Sequence, residues 1–324
     1  MTDETAGRPE NTIAVVGAGI SGLLLAGALR ARGESVIVLE KSRGMGGRLA
    51  TKRLGNAVFD QGAQFFTAKD ARFLELVVHW QARGVVTNWP AAPAPRLIGV
   101  PNMNALGKLL AAGLDVRRDC TVLSARRRGA EWSLAIQHQP VLRAGRLVLT
   151  APAPQSLALL EADGERLPAA LVKSLRALTY HPCLAMLVTL SGPSAVPQEG
   201  LALDEGPVRW ISDNTKKGVS PGPAAAVTVH LSRAFSAEHF ATTETDLASL
   251  VLPTLAGWLG APVTHVALHR WKFSEPVTTY DKPCVWRPEL GLGLAGDAFG
   301  GPRVEGAAIS GLALADCMTE SSRA

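Results

Sequence analysis

The sequence predicts an α/β protein of two domains, one of them split along the chain, and three observations carry that reading. Thr12 to Glu40 reads as strand, glycine turn, helix and strand. Residues 291–318, "GLGLAGDAFGGPRVEGAAISGLALADCM", repeat the strand and glycine turn and open into a helix of small residues. Between them, from about Pro154 to Gly260, strands and helices alternate without any glycine fingerprint, as an inserted domain does.

The elements follow in order. "TIAVVGAGI" is a buried strand entering a turn, "SGLLLAGALRARG" a helix stopped at Gly33, and "SVIVLE" the next strand. "AVFDQGAQFFT" reads as a strand, and "DARFLELVVHWQARG" as an amphipathic helix with Asp70 near its N-cap. "NWPAAPAPRLIGVP" holds four prolines and reads as a loop or lid. A helix around Met103–Ala112 precedes short strands near "CTVLSARRR", "EWSLAIQH" and "RLVLTAP", with Arg126–Arg128 on a solvated hairpin edge.

Composition sets bounds. Hydrophobic residues at 47% and charged residues at 19% describe a globular chain, not a disordered one. The net charge of +5 suits an anionic small molecule, and without a nucleic-acid motif it gives no case for DNA or RNA. Cys120, Cys183, Cys284 and Cys317 lie far apart without a C-x-x-C, against structural zinc or a dithiol pair and for reduced thiols in a cytoplasmic protein. No metal site is expected. The polar start, Met1–Asn11, has no apolar signal region and reads as a disordered tail. The 17-residue run Ile13–Leu29 is short for a membrane span and carries four glycines, so no membrane is expected.

Gly17-Ala18-Gly19-Ile20-Ser21-Gly22 is a G-x-G-x-x-G between strand and helix, where a helix N-terminus can face a pyrophosphate. The next strand ends at Glu40, 18 residues after Gly22, where a carboxylate accepts ribose hydroxyls and repels a 2′-phosphate. The site therefore suits FAD or NAD and not NADP. Gly46-Gly47-Arg48 adds backbone and a guanidinium for the pyrophosphate, and Gln64 with two phenylalanines suits a flat ring. Asp297 is placed for a ribityl or ribose hydroxyl, and the following helix N-terminus for the flavin N1/O2 edge, so the dinucleotide is read as noncovalent FAD. The expected cofactor contacts also include Lys41, Ala63, Phe65, Val122, Val304, Glu305 and Ala308. The fold class is then a Rossmann-like FAD-binding domain (1–66, 102–153 and 265–324) with an inserted α+β substrate domain (67–101 and 154–264).

The N-terminal stretch through "EKSRGMGGRLATKR" and the C-terminal "GLAGDAFGGPRVEGAAISGLALA" resemble the flavoprotein amine oxidase superfamily, of p-hydroxybenzoate hydroxylase/amine oxidase-like fold. More narrowly, "FDQGAQFFTA", "LVLTAPAPQ", "YHPCLAMLV", "VRWISDNTKKG" and "HRWKFSEP" resemble bacterial renalase-like proteins. Ala298-Phe299 departs from the tryptophan that many relatives carry after the Gly-Asp pair. The resemblance implies an oxidase of 2- and 6-dihydro-NAD(P), passing a hydride to FAD and then electrons to O₂, with NAD(P)⁺ and hydrogen peroxide as products. Its implied substrate-facing residues are Phe66, Trp210, Asn214, His230 and Trp271, although a strand histidine such as His230 also reads as a satisfied packing residue. Lys216 and Lys217 read either as phosphate contacts or as a solvated turn. Such hydride transfer needs no general base, so no catalytic side chain is expected. An oxidase of a small amine and a flavin-binding protein without turnover remain as alternatives.

Overall fold

The computed structural model describes residues 11–90, 92, 94–162, 164 and 167–320, so residues 1–10 of the polar start lie outside it. Its centre is a six-stranded sheet in the order Val285–Arg287, Leu292–Leu294, Arg146–Leu149, Thr12–Val16, Ser35–Leu39 and Asp115–Arg117. All its pairings are parallel except the first. Thr12–Val16 is buried at every residue, as a central parallel strand between two covering layers must be.

One layer is the helix Ile20–Ala31 against the last helix, Arg303–Glu320. The two approach closely because Gly311 has no side chain: a Cβ there would stand 2.2 Å from the Ser21 carbonyl oxygen. The other layer is a three-stranded antiparallel sheet, Val122–Arg128, Glu131–Ile136 and Leu142–Ala144, centred on the buried Trp132. Trp132 donates its indole N–H to the Leu290 carbonyl at 2.9 Å.

A five-stranded antiparallel sheet forms the second unit, in the order Leu201–Ala202, Val208–Asp213, Ala226–Leu231, Tyr180–Leu190 and Val263–Pro276. Its residues alternate between two faces except at bulges near Val208, Cys183 and Leu190. Leu184, Met186, Val188, Val227, Val229 and Ile211 form an apolar outer face, packed on Leu247, Val251, Leu255 and Leu259 of the helical segment that follows. The opposite, inner face carries polar residues and turns toward the first unit.

Three expectations are corrected. Residues 265–276 do not join the central sheet. Val263–Pro276 pairs antiparallel with Tyr180–Leu190 along nearly its whole length, so long-range ladder bonds place it in the second sheet. The strand expected over 57–67 ends at Asp60, because its partner Thr51–Leu54 is preceded by a short helical turn at Gly47–Leu49. Chain continues past it as a turn in which Gly62 is required, since a Cβ would lie 2.0 Å from the Arg48 carbonyl oxygen. The proline-rich segment is not an open loop: Leu97–Gly99 is a buried strand paired with Val86–Asn88, and Leu97 bonds the Phe66 backbone in both directions. Asp70 caps its helix, accepting from the Arg72 and Phe73 N–H groups. Among the described residues, no helix is long and apolar enough to cross a membrane.

Candidate functional site

The first part of the site is made of backbone. Gly17 has φ +111°, a conformation that favours glycine, and its N–H binds the Leu39 carbonyl at 2.8 Å. Gly22 packs onto the same turn, where a Cβ would stand 2.1 Å from the Gly17 carbonyl oxygen. Gly19 is different: a Cβ there would meet nothing within 4 Å, so the turn leaves open space in front of the N-terminus of the helix Ile20–Ala31. The 44–48 strap closes beside it. Gly46 donates to the Ala18 carbonyl at 2.7 Å, and Gly47, at φ +55°, lies against the Gly19 Cα.

Glu40 ends its strand 7% exposed, with Oε2 accepting from the Ala18 N–H at 2.9 Å and Oε1 from the Ser42 N–H at 2.8 Å. A carboxylate has about four lone-pair sites, so these two bonds orient it and leave capacity for hydroxyl donors. Lys41 is exposed beside it, and Val122 is buried near Cys120, whose N–H binds the Glu40 carbonyl. Thr150, which the sequence did not single out, shares its hydroxyl between the Val16 and Gly17 carbonyls at 3.1 Å each. Open space at Gly19, two glycine straps and an oriented carboxylate fit an extended dinucleotide.

Arg48 requires a correction. Its guanidinium does not stand free for a pyrophosphate; it pairs in a bidentate fork with Asp297, at 2.6 and 2.7 Å, and also donates to the Ser274 carbonyl. Asp297 is 4% exposed, and a buried carboxylate without a countercharge would be costly, which is why the two motifs meet. Burial alone would lower the Arg48 pKa, but Asp297 outweighs it and holds the guanidinium more firmly charged. Burial and the Asp297 charge push the neighbouring Tyr180 phenol well above its ordinary range.

Glu305, Val304 and Ala308 sit on the first turns of the last helix. Glu305 is also corrected: its carboxylate accepts from the Lys69 and Asp70 N–H groups and so fastens the start of another helix. Val304 and Ala308 pack into the apolar cluster around Leu24 and Phe73.

The second part of the site is made of side chains. Trp210, His230, Ala185 and His269 form one cross-strand row on the inner face, with Ser212, Thr228, Leu187 and Ala267 in the next. This face grips the segment Val58–Gln64. Ser212 donates to the Gln64 side-chain carbonyl, Thr228 to the Asp60 carbonyl, and Trp271 to the Gln61 carbonyl, the last at 3.0 Å. His230 Nε2 meets the same Gln61 carbonyl at 3.2 Å. Burial pushes the His230 pKa down to about 4, the Gln61 bond only partly opposing it, so the ring is neutral at neutral pH.

Beneath the turn lies an ion pair with no solvent access, Lys217 Nζ to Asp60 Oδ2 at 2.8 Å. Lys217 also donates to the Gln64 carbonyl, and Asp60 accepts from the Thr51 hydroxyl and the Met103 N–H. Lys217 is therefore neither a phosphate contact nor a solvated turn residue. Lys216 donates to the Ser194 and Val196 carbonyls. Asn214, expected to face the substrate, is fully buried and engaged by the protein, accepting from the Asp60 N–H and donating to Ala226 and Thr228. Gln64 spends its amide on the Asp60 and Gly62 carbonyls, leaving Ala63 bound through its N–H to Arg48. Phe66 is 4% exposed and packs edge-on against Phe73, a core residue where a substrate contact was expected.

Phe65 instead turns toward Trp89 and Trp210, with ring centroids 6.0 and 5.4 Å away. Arg96, missed by sequence reasoning, lays its guanidinium over Phe65 at 4.6 Å and over Trp210 at 5.2 Å. Among the described residues, the Trp210 indole N–H and the Gln61 side-chain oxygen are buried without a hydrogen-bond partner. Among the described residues no group of His, Cys, Asp or Glu could hold a metal ion.

Comparison with known proteins agrees with this architecture. A family model described as NAD(P)-binding Rossmann-like domain matches residues 15–80, and one described as flavin containing amine oxidoreductase matches residues 94–319. Cyclohexylamine oxidase from Brevibacterium oxydans IH-35A has a similar fold, with TM-score 0.75 at 13% identity, covering 98% of this chain and 100% of that one. A candidate protoporphyrinogen oxidase from Exiguobacterium sp. 255-15 superposes with TM-score 0.73 at 15% identity, covering 98% and 99%. Wild-type putrescine oxidase bound to putrescine gives 0.65 at 14% identity, covering 97% and 99%.

Proposed function

From a chain that belongs to the flavin containing amine oxidoreductase family, and so is an FAD-dependent oxidoreductase acting on a small molecule, we propose an oxidase of dihydronicotinamide dinucleotides, the 2- and 6-dihydro isomers of NAD(P). The products are NAD(P)⁺ and, from O₂, hydrogen peroxide. FAD, when bound, supplies the two-electron acceptor and the route to O₂. In this proposal the Gly17–Gly22 turn, Glu40 and the Gly46–Gly47 strap hold the dinucleotide part of FAD, and the Arg48–Asp297 pair, Phe65 and the Gln61–Gln64 turn border its ring.

One observation carries the reading: three carboxylates around the ring end of the site, Asp60, Asp297 and Glu275, are all ion-paired. Asp60 holds Lys217, Asp297 holds Arg48, and Glu275 holds Arg209 and Arg233. An alkylammonium substrate needs a carboxylate or open aromatic faces to bind it, and must lose its proton before hydride can leave. A dihydronicotinamide needs neither, because its ring nitrogen supplies the electron push and its phosphates bring negative charge. The residues then position the substrate ring and exclude competing chemistry. His230, neutral and tied to Gln61, and Trp271 fix the turn against which the substrate ring rests. The four cysteines form no disulfide among the described residues, consistent with the reducing cytoplasm that we include in the proposal.

The test is anaerobic mixing of the FAD-loaded protein with 2- and 6-dihydro-NAD(P), then with cyclic and linear amines, following bleaching of the oxidised flavin band. Rapid bleaching by a dihydronicotinamide and none by amines is expected. Bleaching by amines alone overturns the proposal, and bleaching by no donor favours a flavin-binding protein without turnover.

A further inference from the structure

We propose that Arg96 is a specificity-determining residue, whose guanidinium binds the phosphates of an anionic substrate and excludes ammonium substrates. The inference deepens the proposed function and rests on it for the identity of that substrate. Arg96 is half-buried, and its Nη1 donates to the Glu199 carbonyl at 2.8 Å. Among the described residues no carboxylate pairs with it, whereas Arg48, Lys217, Arg209 and Arg233 around the site are all neutralised. A cation in a partly desolvated position that keeps donors in hand suits an anion.

The surroundings agree. Phe65, Trp89 and Trp210 pack into an aromatic cluster with ring centroids 5.4 to 6.1 Å apart, and the π-faces of such a cluster are what a protonated amine would seek. Here two of those faces are already covered by the protein's own guanidinium, and the third has Lys217 Nζ at 5.1 Å from its centroid. A substrate ammonium would compete for occupied faces against two resident cations. The buried Trp210 indole N–H, without an acceptor among the described residues, adds a second donor, so the cluster presents donors and positive charge. The backbone holds Arg96 in place: Trp89 and Arg96 are joined by a 2.7 Å hydrogen bond, and Trp89 Nε1 binds the Gln198 carbonyl.

The experiment titrates the FAD-loaded wild type, Arg96→Met and Arg96→Lys with NAD⁺ and with nicotinamide riboside, which lacks phosphates, reading perturbation of the flavin spectrum. It is repeated as anaerobic flavin reduction with the corresponding dihydro compounds and with amines. Arg96→Met is expected to weaken NAD⁺ about 10–100-fold, with the riboside within about twofold, and Arg96→Lys to recover part of the loss. Equal losses for NAD⁺ and the riboside would mean a packing role only and overturn the proposal, as would unchanged NAD⁺ affinity. Wild type that binds NAD⁺ through Arg96 but is reduced by no dihydronicotinamide sinks the proposed function and leaves the anion site standing. Wild type that is reduced, with NAD⁺ binding indifferent to Arg96, does the reverse. Flavin content of each variant reports folding.

Discussion

At Gly17–Gly22 the contacts that shape the site run mostly between backbone atoms of one βαβ unit and the strap that follows it, whereas around Asp60–Gln64 most run from side chains more than 140 positions away in the chain. The first region needs residues that are absent: a missing Cβ at Gly22, a missing Cβ at Gly19. The second needs residues that are present and matched, donor to acceptor and charge to charge. Removing an atom should therefore harm the second region, and adding one should harm the first.

The largest test of that contrast is Lys217→Met. It leaves the fully buried Asp60 without its countercharge and is expected to cost about 3–5 kcal/mol in chemical denaturation, whereas the double change Lys217→Met with Asp60→Asn should recover a good part of it. Additive losses would mean that the pair is not the coupled unit described above.

Next comes pH. His230 has a folded pKa of about 4 against an ordinary value near 6.5, so between these values the unfolded chain binds the extra proton. Stability from this group is complete above about pH 6.5 and is lost as the pH falls toward 4, by roughly 2–3 kcal/mol. The same denaturation series on His230→Gln should be flatter across that window; identical slopes would remove His230 as the cause.

Gly22→Ala adds a Cβ 2.1 Å from the Gly17 carbonyl oxygen and should cost about 1–3 kcal/mol together with FAD retention. Gly19→Ala is the sharpest discriminator because its effect on stability is the smallest. Gly19 has φ −75° and open space ahead, so apo stability should stay within about 0.5 kcal/mol while FAD affinity falls about tenfold or more. Wild-type FAD affinity in Gly19→Ala, read by flavin fluorescence, would show that the open space is not the cofactor's.

The difference between the two regions also explains what could be read beforehand. Gly17, Gly19, Gly22 and Glu40 announce themselves because a tight turn and an acidic strand end leave a fixed spacing in the chain. Asp60 carried no such mark, and neither did Arg96: an aspartate after a short strand or an arginine among prolines is unremarkable until its partners are known. The expected strand at 57–67 and loop at 88–101 went astray for one reason, that the segments fold onto each other through the Phe66–Leu97 bridge. Phe66 and Phe65, adjacent and alike in sequence, are separated only by which face of that bridge each side chain takes. Arg48 and Asp297 were both found, yet as separate contacts, since nothing in two motifs 249 positions apart says that they neutralise each other.

By itself, then, the sequence determined the βαβ half, its dinucleotide turn and the return of the chain to the same sheet, because local geometry dictates residue type at short, regular spacing. The tertiary structure alone decided that 263–276 belongs to the second sheet, that Lys217 is buried against Asp60, that Asn214 is scaffold, and that Arg96 sits on Phe65 and Trp210. Those outcomes depend on which polar side chains meet across sheets, and the low dielectric of the interior makes each meeting specific without leaving any period in the chain to read.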